Sequence, residues 1–252
     1  MATTKKCYIQ RWSPYGGRWA VITETFYLSQ GQVLSIVVGQ RGGVLAGNEG
    51  YNYTAVAGGG GGGTFVYTST NSDVTFFCAA GGGGGATHDE INDQYYHSGY
   101  GVSAQTNPYC SGNGNEGYGA TGACSKFRGN GAGWLSDGTD TGVNTLNRAG
   151  CPTGGHIRLS GWEGRAGRGD NSYNGARNDN NDNMSWALTG FGGFGGGGAM
   201  FTPGGVHNPG GGGGYSRGGM RSWTSWGGAS RGIAVGHGNY LENGKITITF
   251  LL

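Results

Sequence analysis

The chain has 252 residues, 61 of them glycine, and 16 Lys and Arg residues against 14 Asp and Glu give a formal net charge of +2. A chain so close to neutral lacks the basic surface that would attract nucleic acid or an anionic membrane. The five prolines and the clustered glycines exclude a collagen triple helix. Hydrophobic residues make up 35% and aromatic residues 12%, which is enough apolar surface to argue against disorder. No stretch approaches the roughly 20 apolar residues of a membrane-spanning helix.

The first predicted elements are two apolar segments rich in β-branched residues. Residues 19–28 and 32–38 are predicted to pair as a hairpin around a turn at Ser29-Gln30-Gly31. Residues 39–50 are predicted to form a polar loop, and residues 51–56 a further strand.

A second hairpin is predicted between two glycine runs. Its strands are residues 64–67 and 74–80, and its turn passes through residues 69–73. The following residues, about 87–190, are rich in Asn, Asp, Gly and Ser, and we expect a loop-rich insertion within a single domain spanning residues 1–252. Residues 245–252 are predicted to form a closing strand deep in a sheet.

Four nearly uninterrupted glycine runs punctuate the chain, each beside an apolar segment. The candidate structural glycines within them are Gly58, Gly63, Gly81, Gly85, Gly195, Gly198, Gly210 and Gly214. A linker is rarely bracketed by strands in this way, so we expect extended threefold polyglycine II helices, which bond sideways because no Cβ blocks the approach. The predicted fold is therefore predominantly β, with short antiparallel hairpins or a β-sandwich, packed polyglycine II helices and very little α-helix.

The five cysteines favour disulfides over a metal or redox motif, because no Cys-x-x-Cys pair occurs. Cys110 and Cys124 flank a glycine-rich loop and are a candidate disulfide. Cys78 lies in an apolar strand, where it is either bridged or a buried free thiol. An odd count leaves one thiol free or paired with another chain.

Six segments taken together carry a family resemblance. They are FYLSQGQVLSIVVGQRG at 26–42, AGGGGGGTFV at 57–66, FCAAGGGGG at 77–85, GFGGFGGGG at 190–198, GGGGGYS at 210–216 and KITITFLL at 245–252. Their succession resembles the glycine-rich domain of the anaplastic lymphoma kinase and leukocyte tyrosine kinase receptors, over roughly residues 19–85 and 187–252.

The resemblance implies polyglycine helices capped by a tumour-necrosis-factor-like β-sandwich, in an extracellular or cell-surface protein. The first 18 residues lack the usual first strand and Gly-Ala-x-Gly-Gly motif, and we expect a partner subunit to supply that strand. The chain contains neither a kinase nor a membrane span, so receptor signalling is not implied, and no ligand-binding residue is transferred.

The titratable residues do not form a convergent acid, base and nucleophile set, so we expect no enzyme, no cofactor and no metal site. His88-Asp89-Glu90 are adjacent and cannot all face one ion, which favours a solvated loop. Asp179 and Asp182 lack the ligand spacing and closing Glu of an EF-hand.

Surface recognition has several candidates. The tripeptide Arg168-Gly169-Asp170 matches an integrin-binding motif, although so short a motif arises easily by chance. Asn52 and Asn183 begin glycosylation sequons. Trp223, Trp226 and Tyr215 are candidate interface residues, with burial over the ends of the glycine helices as the alternative.

The leading hypothesis is a non-enzymatic extracellular structural protein that self-assembles into a fibre or surface appendage through polyglycine and strand packing. Copies of the chain itself are then its partners. The alternative is an extracellular binding or adhesion module, of receptor type or like a tail-fibre tip, that presents its loops to a protein or carbohydrate ligand.

Overall fold

The computed structural model of this protein describes residues 16–49, 53–69, 74–91, 94–95, 100–101, 104, 130–138, 188–190, 192–198, 200–202, 210–216, 218, 220–221, 224–225, 227–238 and 242–250. Every regular element within these ranges is a β-strand, and no helix occurs among them. The prediction of a predominantly β chain is confirmed at this level. Within the same ranges, nothing forms a helix long and apolar enough to cross a membrane.

The strands are short, with two to seven residues each. In chain order they are β1 (Ala20–Thr23), β2 (Ser35–Val37), β3 (Val44–Glu49), β4 (Tyr53–Gly58), β5 (Thr64–Ser69), β6 (Val74–Ala80), β7 (Thr87–Ile91), β8 (Gln94–Tyr95), β9 (Tyr100–Gly101), β10 (Leu188–Gly190), β11 (Met200–Thr202), β12 (Met220–Arg221), β13 (Thr224–Ser225) and β14 (Ile233–His237). They pair in the orders β3-β4-β7-β8, β2-β5-β6, β12-β13-β9, β1-β14 and β10-β11. All pairs are antiparallel except β13 with β9.

The second predicted hairpin is confirmed. Strands β5 and β6 pair antiparallel from Thr64 opposite Ala80 to Ser69 opposite Val74. A register shift lies after Val66, which indicates a bulge in the ladder. Strand β2 adds to the other edge of β5, so that a segment from outside the hairpin completes the sheet.

One face of this β2-β5-β6 sheet carries the aromatic core. Its buried members are Val37, Phe65, Tyr67, Ala79 and Tyr215, with Val74, Phe76 and Trp134 packed against them. The Trp134 ring lies 4.7 Å from the ring of Phe76 and 5.3 Å from that of Tyr67, both edge to face. Such edge-to-face pairs each add about 1 kcal/mol beyond the area that they bury.

The first predicted hairpin is wrong in its pairing. The turn forms, since the backbone N–H of Gln32 donates to the carbonyl of Ser29 and Gly31 has a φ of +83°. However, β1 pairs with β14 and β2 pairs with β5. Pairing with β5 places Val37 in the aromatic core, and this burial outweighs the shorter connection of a hairpin.

Two further sequence predictions are wrong. Residues 39–50 include strand β3, which pairs with β4 along all six of its residues, where a polar loop was expected. Residues 245–250 belong to no sheet, and Phe250 is 76% exposed where a deep strand was expected. Their apolar alternation produces an extended chain, but a strand also needs a bonded neighbour, and a cavity lies where that neighbour would be.

The predicted insertion at residues 87–190 is described only in parts. Strands β7, β8 and β9, residues 130–138 and strand β10 belong to it. His88-Asp89-Glu90 lie within β7, opposite Val56, Ala55 and Thr54 of β4, so the solvated loop expected there is a paired strand.

Candidate functional site

The first glycine run lies at the centre of a backbone hydrogen-bond network. Its six amides donate to three neighbouring segments in rotation, and the donor–acceptor pairs are Gly58–Ala86, Gly59–Gly43, Gly60–Gly198, Gly61–Gly83, Gly62–Gln40 and Gly63–Gly195. The donor–acceptor distances are between 2.8 and 3.1 Å. Donors three residues apart therefore share a neighbour, and their acceptors move three residues back along it.

The second and fourth runs repeat the three-residue spacing. Gly82 and Gly85 donate to the carbonyls of Gly213 and Gly210, each at 2.8 Å. The fourth run in turn donates from Gly210 and Gly213 to the first run, at Gly58 and Gly61. The runs are thus bonded to one another directly, with a repeat of three residues instead of the two of a β-strand.

Two buried serines tie the ends of the second run to the rest of the chain. The Oγ of Ser230 accepts the amide of Gly81 at 2.9 Å, and the hydroxyl of Ser225 donates to the carbonyl of Gly85 at 2.5 Å. Both serines are fully buried. A buried backbone group without a partner costs about 1–3 kcal/mol, so these hydroxyls stabilise the network where glycine partners end.

Most of these glycines approach another backbone too closely to admit a side chain. All eight candidate structural glycines are buried, and a Cβ built on Gly85 would collide with the carbonyl of Gly58. At Gly82 it would collide with the carbonyl of Gly61, and at Gly60 with that of Gly211. These obstacles are backbone atoms, which cannot rotate away as a side chain can.

The third run departs from the others in its middle. Gly195 and Gly196 have φ values of +98° and +87°, a region that other residues rarely adopt. The chain turns there, and Phe194 extends outward with 38% of its surface exposed. The ends of this run still bond to the first run, through Gly193 to Gly60 and Gly60 to Gly198.

A cavity of about 920 Å³ lies beside this network. Val66 and Cys78 line it, whereas their sequence neighbours Phe65 and Ala79 belong to the aromatic core. Because side chains alternate along a strand, the cavity is on the opposite face of the β2-β5-β6 sheet from that core. Residues 19–28 and 244–250 form its other walls.

Within the part of the chain that the structure describes, two stretches of these walls, residues 24–28 and 245–250, belong to no helix or strand. No backbone hydrogen bond joins residues 24–28 or 245–250 to any other residue that the structure describes. Residues 245–250 alternate, with Ile246, Ile248 and Phe250 on one side and Lys245, Thr247 and Thr249 on the other. Ile248 is 40% exposed. The segment therefore has the pattern of a strand without a sheet.

Cys78 lines this cavity as a free thiol. Of the two states that the sequence allowed, bridged or free, the structure has the free one. Burial raises the pKa of the Cys78 thiol from its ordinary 9.0 to about 11, and the negative charge of Glu24 adds to the shift. The thiol is thus protonated at neutral pH, which makes it a weak nucleophile.

Tyr215 is a core residue and not an interface residue, which corrects the interface assignment. Its side chain is only 5% exposed, and its ring lies 5.1 Å from that of Phe76. Arg231 covers it, with the guanidinium carbon 4.9 Å from the Tyr215 ring centre and Nη1 donating to the hydroxyl at 2.5 Å. This ring completes the core between the sheet and the end of the fourth run. For Tyr215, the structure therefore agrees with burial, the alternative that the sequence allowed.

The remaining sequence candidates lie outside the described residues. They are the disulfide pair Cys110 and Cys124, the sequons at Asn52 and Asn183, the aromatic residues Trp223 and Trp226, the tripeptide at 168–170, and Asp179 and Asp182. Among the residues that are described, no group of three or more His, Cys, Asp or Glu side chains comes together.

Two features of the site were missed from the sequence. Arg231 has no local motif that marks it, because its partners Phe76 and Tyr215 are distant in the chain. The sequence contains one pattern related to the cavity, the alternation of residues 245–250. That pattern predicts a strand buried in a sheet, whereas in the structure the segment lines the cavity.

Protein families and curated proteins were compared with the chain by sequence. No protein-family profile matches the chain, and no curated protein matches its sequence.

Proposed function

We propose that the glycine runs are packed polyglycine II helices that join a β-sandwich, as in the receptor domains that the sequence resembles. A polyproline-type helix has three residues per turn, so its amides point in three directions and repeat every third residue. The rotation of donors along the first run, from Gly58 to Gly63, has this repeat. This observation carries the proposal.

A lattice of this kind is rigid, because each run is bonded to several others and no side chain separates them. Its hydrogen bonds are directional and run between backbones, so the same geometry can extend to further copies wherever an edge is free. The free edges at residues 24–28 and 245–250 are such places.

The function that we infer is that of a non-enzymatic, extracellular structural subunit, which self-assembles into a fibre or surface appendage. The two unpaired segments support it, because strand edges with apolar alternation associate readily. The low charge also supports it, since a net charge of +2 opposes association only weakly.

A concentration series in sedimentation velocity tests this function. The fraction of the protein in species larger than one chain should increase as the concentration rises from nanomolar to micromolar. A single species with the mass of one chain, 25.8 kDa, at every concentration would contradict self-assembly.

The second candidate function is an extracellular binding or adhesion module. The cavity favours it, since about 920 Å³ falls within the roughly 300–1,000 Å³ of ligand sites and its walls include Val66, Ile246 and Phe250. Glycan and peptide arrays probed with the monomeric protein test this candidate. A reproducible ligand whose binding is lost on Val66→Trp, whose larger side chain would enter the cavity, supports it, and no binding on either array counts against it.

A further inference from the structure

The cavity is large enough for a strand. A residue in packed sheets occupies roughly 160 Å³, from a rise of about 3.3 Å, a strand spacing of about 4.8 Å and a sheet spacing of about 10 Å. The cavity volume of about 920 Å³ therefore has room for at least about six residues of extended chain. The occupant must offer apolar side chains to the Val66 side and hydrogen-bonding groups to the free backbones of both walls.

The chain carries a segment that meets these requirements. Residues 245–250 are six in number and have no backbone hydrogen bond to another described residue, and Ile246, Thr247, Ile248 and Thr249 are all β-branched residues of high strand propensity. This segment already forms one wall, so it cannot fill the cavity of its own chain. A second copy can supply it.

The geometry points to a twofold dimer, resting on the self-assembly proposed above, in which each copy inserts residues 245–250 into the cavity of the other. The joint sheet then has the order 24–28 of the first copy, 245–250 of the second, 245–250 of the first and 24–28 of the second. Both inserted segments gain a bonded neighbour on each side. The contact is self-complementary, as twofold symmetry requires, and it closes the dimer from which the larger assembly is built.

The apolar side chains fix the register. Residues directly opposite each other in an antiparallel pair point to the same face. In one register, Ile248 lies opposite Ile248 of the other copy, and Ile246 lies opposite Phe250. This is the only register in which all three apolar residues of one segment lie opposite those of the other. A shift by one residue would place threonines opposite them and face the isoleucines to solvent.

The charges of the two walls agree with this occupant. Glu24 is the one charged residue of segment 24–28 and Lys245 that of segment 245–250, and both line the cavity. Insertion of the second copy therefore brings a cation to a wall that carries a carboxylate. The effect of Glu24 on the Cys78 pKa indicates that its charge acts on the cavity interior.

The test uses two cysteine variants of the full chain under mild oxidation, with the wild type as the background for the native thiols. Ile248→Cys should form a disulfide-linked dimer, because residue 248 lies opposite itself across the twofold axis. Thr249→Cys, the adjacent and similarly exposed position, should not, because its two copies lie opposite residue 247 on the other face.

A third variant measures the same contact without cross-linking. Ile248→Asp places two carboxylates opposite each other, and it should raise the dimer dissociation constant at least about tenfold, whereas Thr249→Asp should change it less. Because Ile248 is 40% exposed, the monomer should keep the near-ultraviolet circular dichroism of the wild type.

The outcomes separate this pairing from self-assembly in general. Selective cross-linking at position 248, with dissociation by Ile248→Asp, supports the twofold strand exchange. If the wild type assembles but position 248 neither cross-links nor responds to Asp, or if Thr249→Cys cross-links equally, the exchange is wrong and self-assembly stands. If the wild type is a single chain at every concentration, both proposals are wrong.

Discussion

The amide of Gly61 donates to the carbonyl oxygen of Gly83 across 2.8 Å. An ideal Cβ on Gly61 would still lie 3.4 Å from the Gly83 nitrogen, which is ordinary van der Waals contact. Gly60 and Gly62, on either side, have no such room, because a Cβ on either would collide with a neighbouring carbonyl. Consecutive glycines of one run therefore differ in their tolerance of a side chain.

This difference predicts opposite results for two adjacent alanine substitutions. Gly60→Ala should destabilise the fold by about 3 kcal/mol or more, because its Cβ meets the backbone of Gly211. Gly61→Ala should change stability by no more than about 1 kcal/mol, because the added methyl fits and restricts the unfolded chain. Chemical denaturation of both variants measures the difference. Equal stability would show that the glycines are not packed as described.

Amide hydrogen exchange should distinguish a bonded lattice from a flexible linker. Peptides covering residues 58–63 and 81–85 should exchange about a thousandfold or more slowly than the same sequences in denaturant, since the amides of residues 58–63 and those of Gly81, Gly82 and Gly85 are bonded within the network. Exchange at the rate of an unstructured glycine linker would contradict the network.

The hydroxyl of Tyr215 should contribute measurably to stability. Tyr215→Phe removes the hydrogen bond from Arg231 and should cost about 1 kcal/mol, while the ring remains packed on Phe76. Thermal unfolding of this variant and of the wild type gives the comparison, and equal melting temperatures would show that the hydroxyl of Tyr215 makes no stabilising hydrogen bond in the core.

The thiol of Cys78 should make stability fall in alkaline solution. Its folded pKa is raised from 9.0 to about 11, so its contribution is fully present below pH 9.0 and is lost as the pH rises through about 11. Denaturation midpoints of the wild type should therefore decline more steeply over this window than those of Cys78→Ala. Parallel curves for the two proteins would show that the thiol pKa is not raised.

Part of this fold could be predicted from local patterns. The β5-β6 hairpin follows from two apolar segments with a short polar connection, and the low helix content follows from glycine interruptions. The β1-β14 pair could not be predicted in this way, because its strands are some 200 residues apart in sequence, and proximity along the chain favoured a β1-β2 hairpin instead.

Local sequence patterns also fail to predict which side chains of the site are buried. Tyr215 follows a glycine run in a sequence without apolar neighbours, and only the approach of β6 and Trp134 buries it. The alternation of residues 245–250 predicted an extended segment, but the position of its hydrogen-bonding neighbour is a tertiary property that the alternation does not contain.

The central claim is that this chain is a self-assembling structural subunit, and negative-stain electron microscopy of the native protein at micromolar concentration tests it most directly. Grids prepared with and without reductant separate assembly by strand pairing from assembly by disulfides. The account predicts filaments or regular multi-subunit particles in both preparations. Isolated particles of single-chain size in both would contradict it.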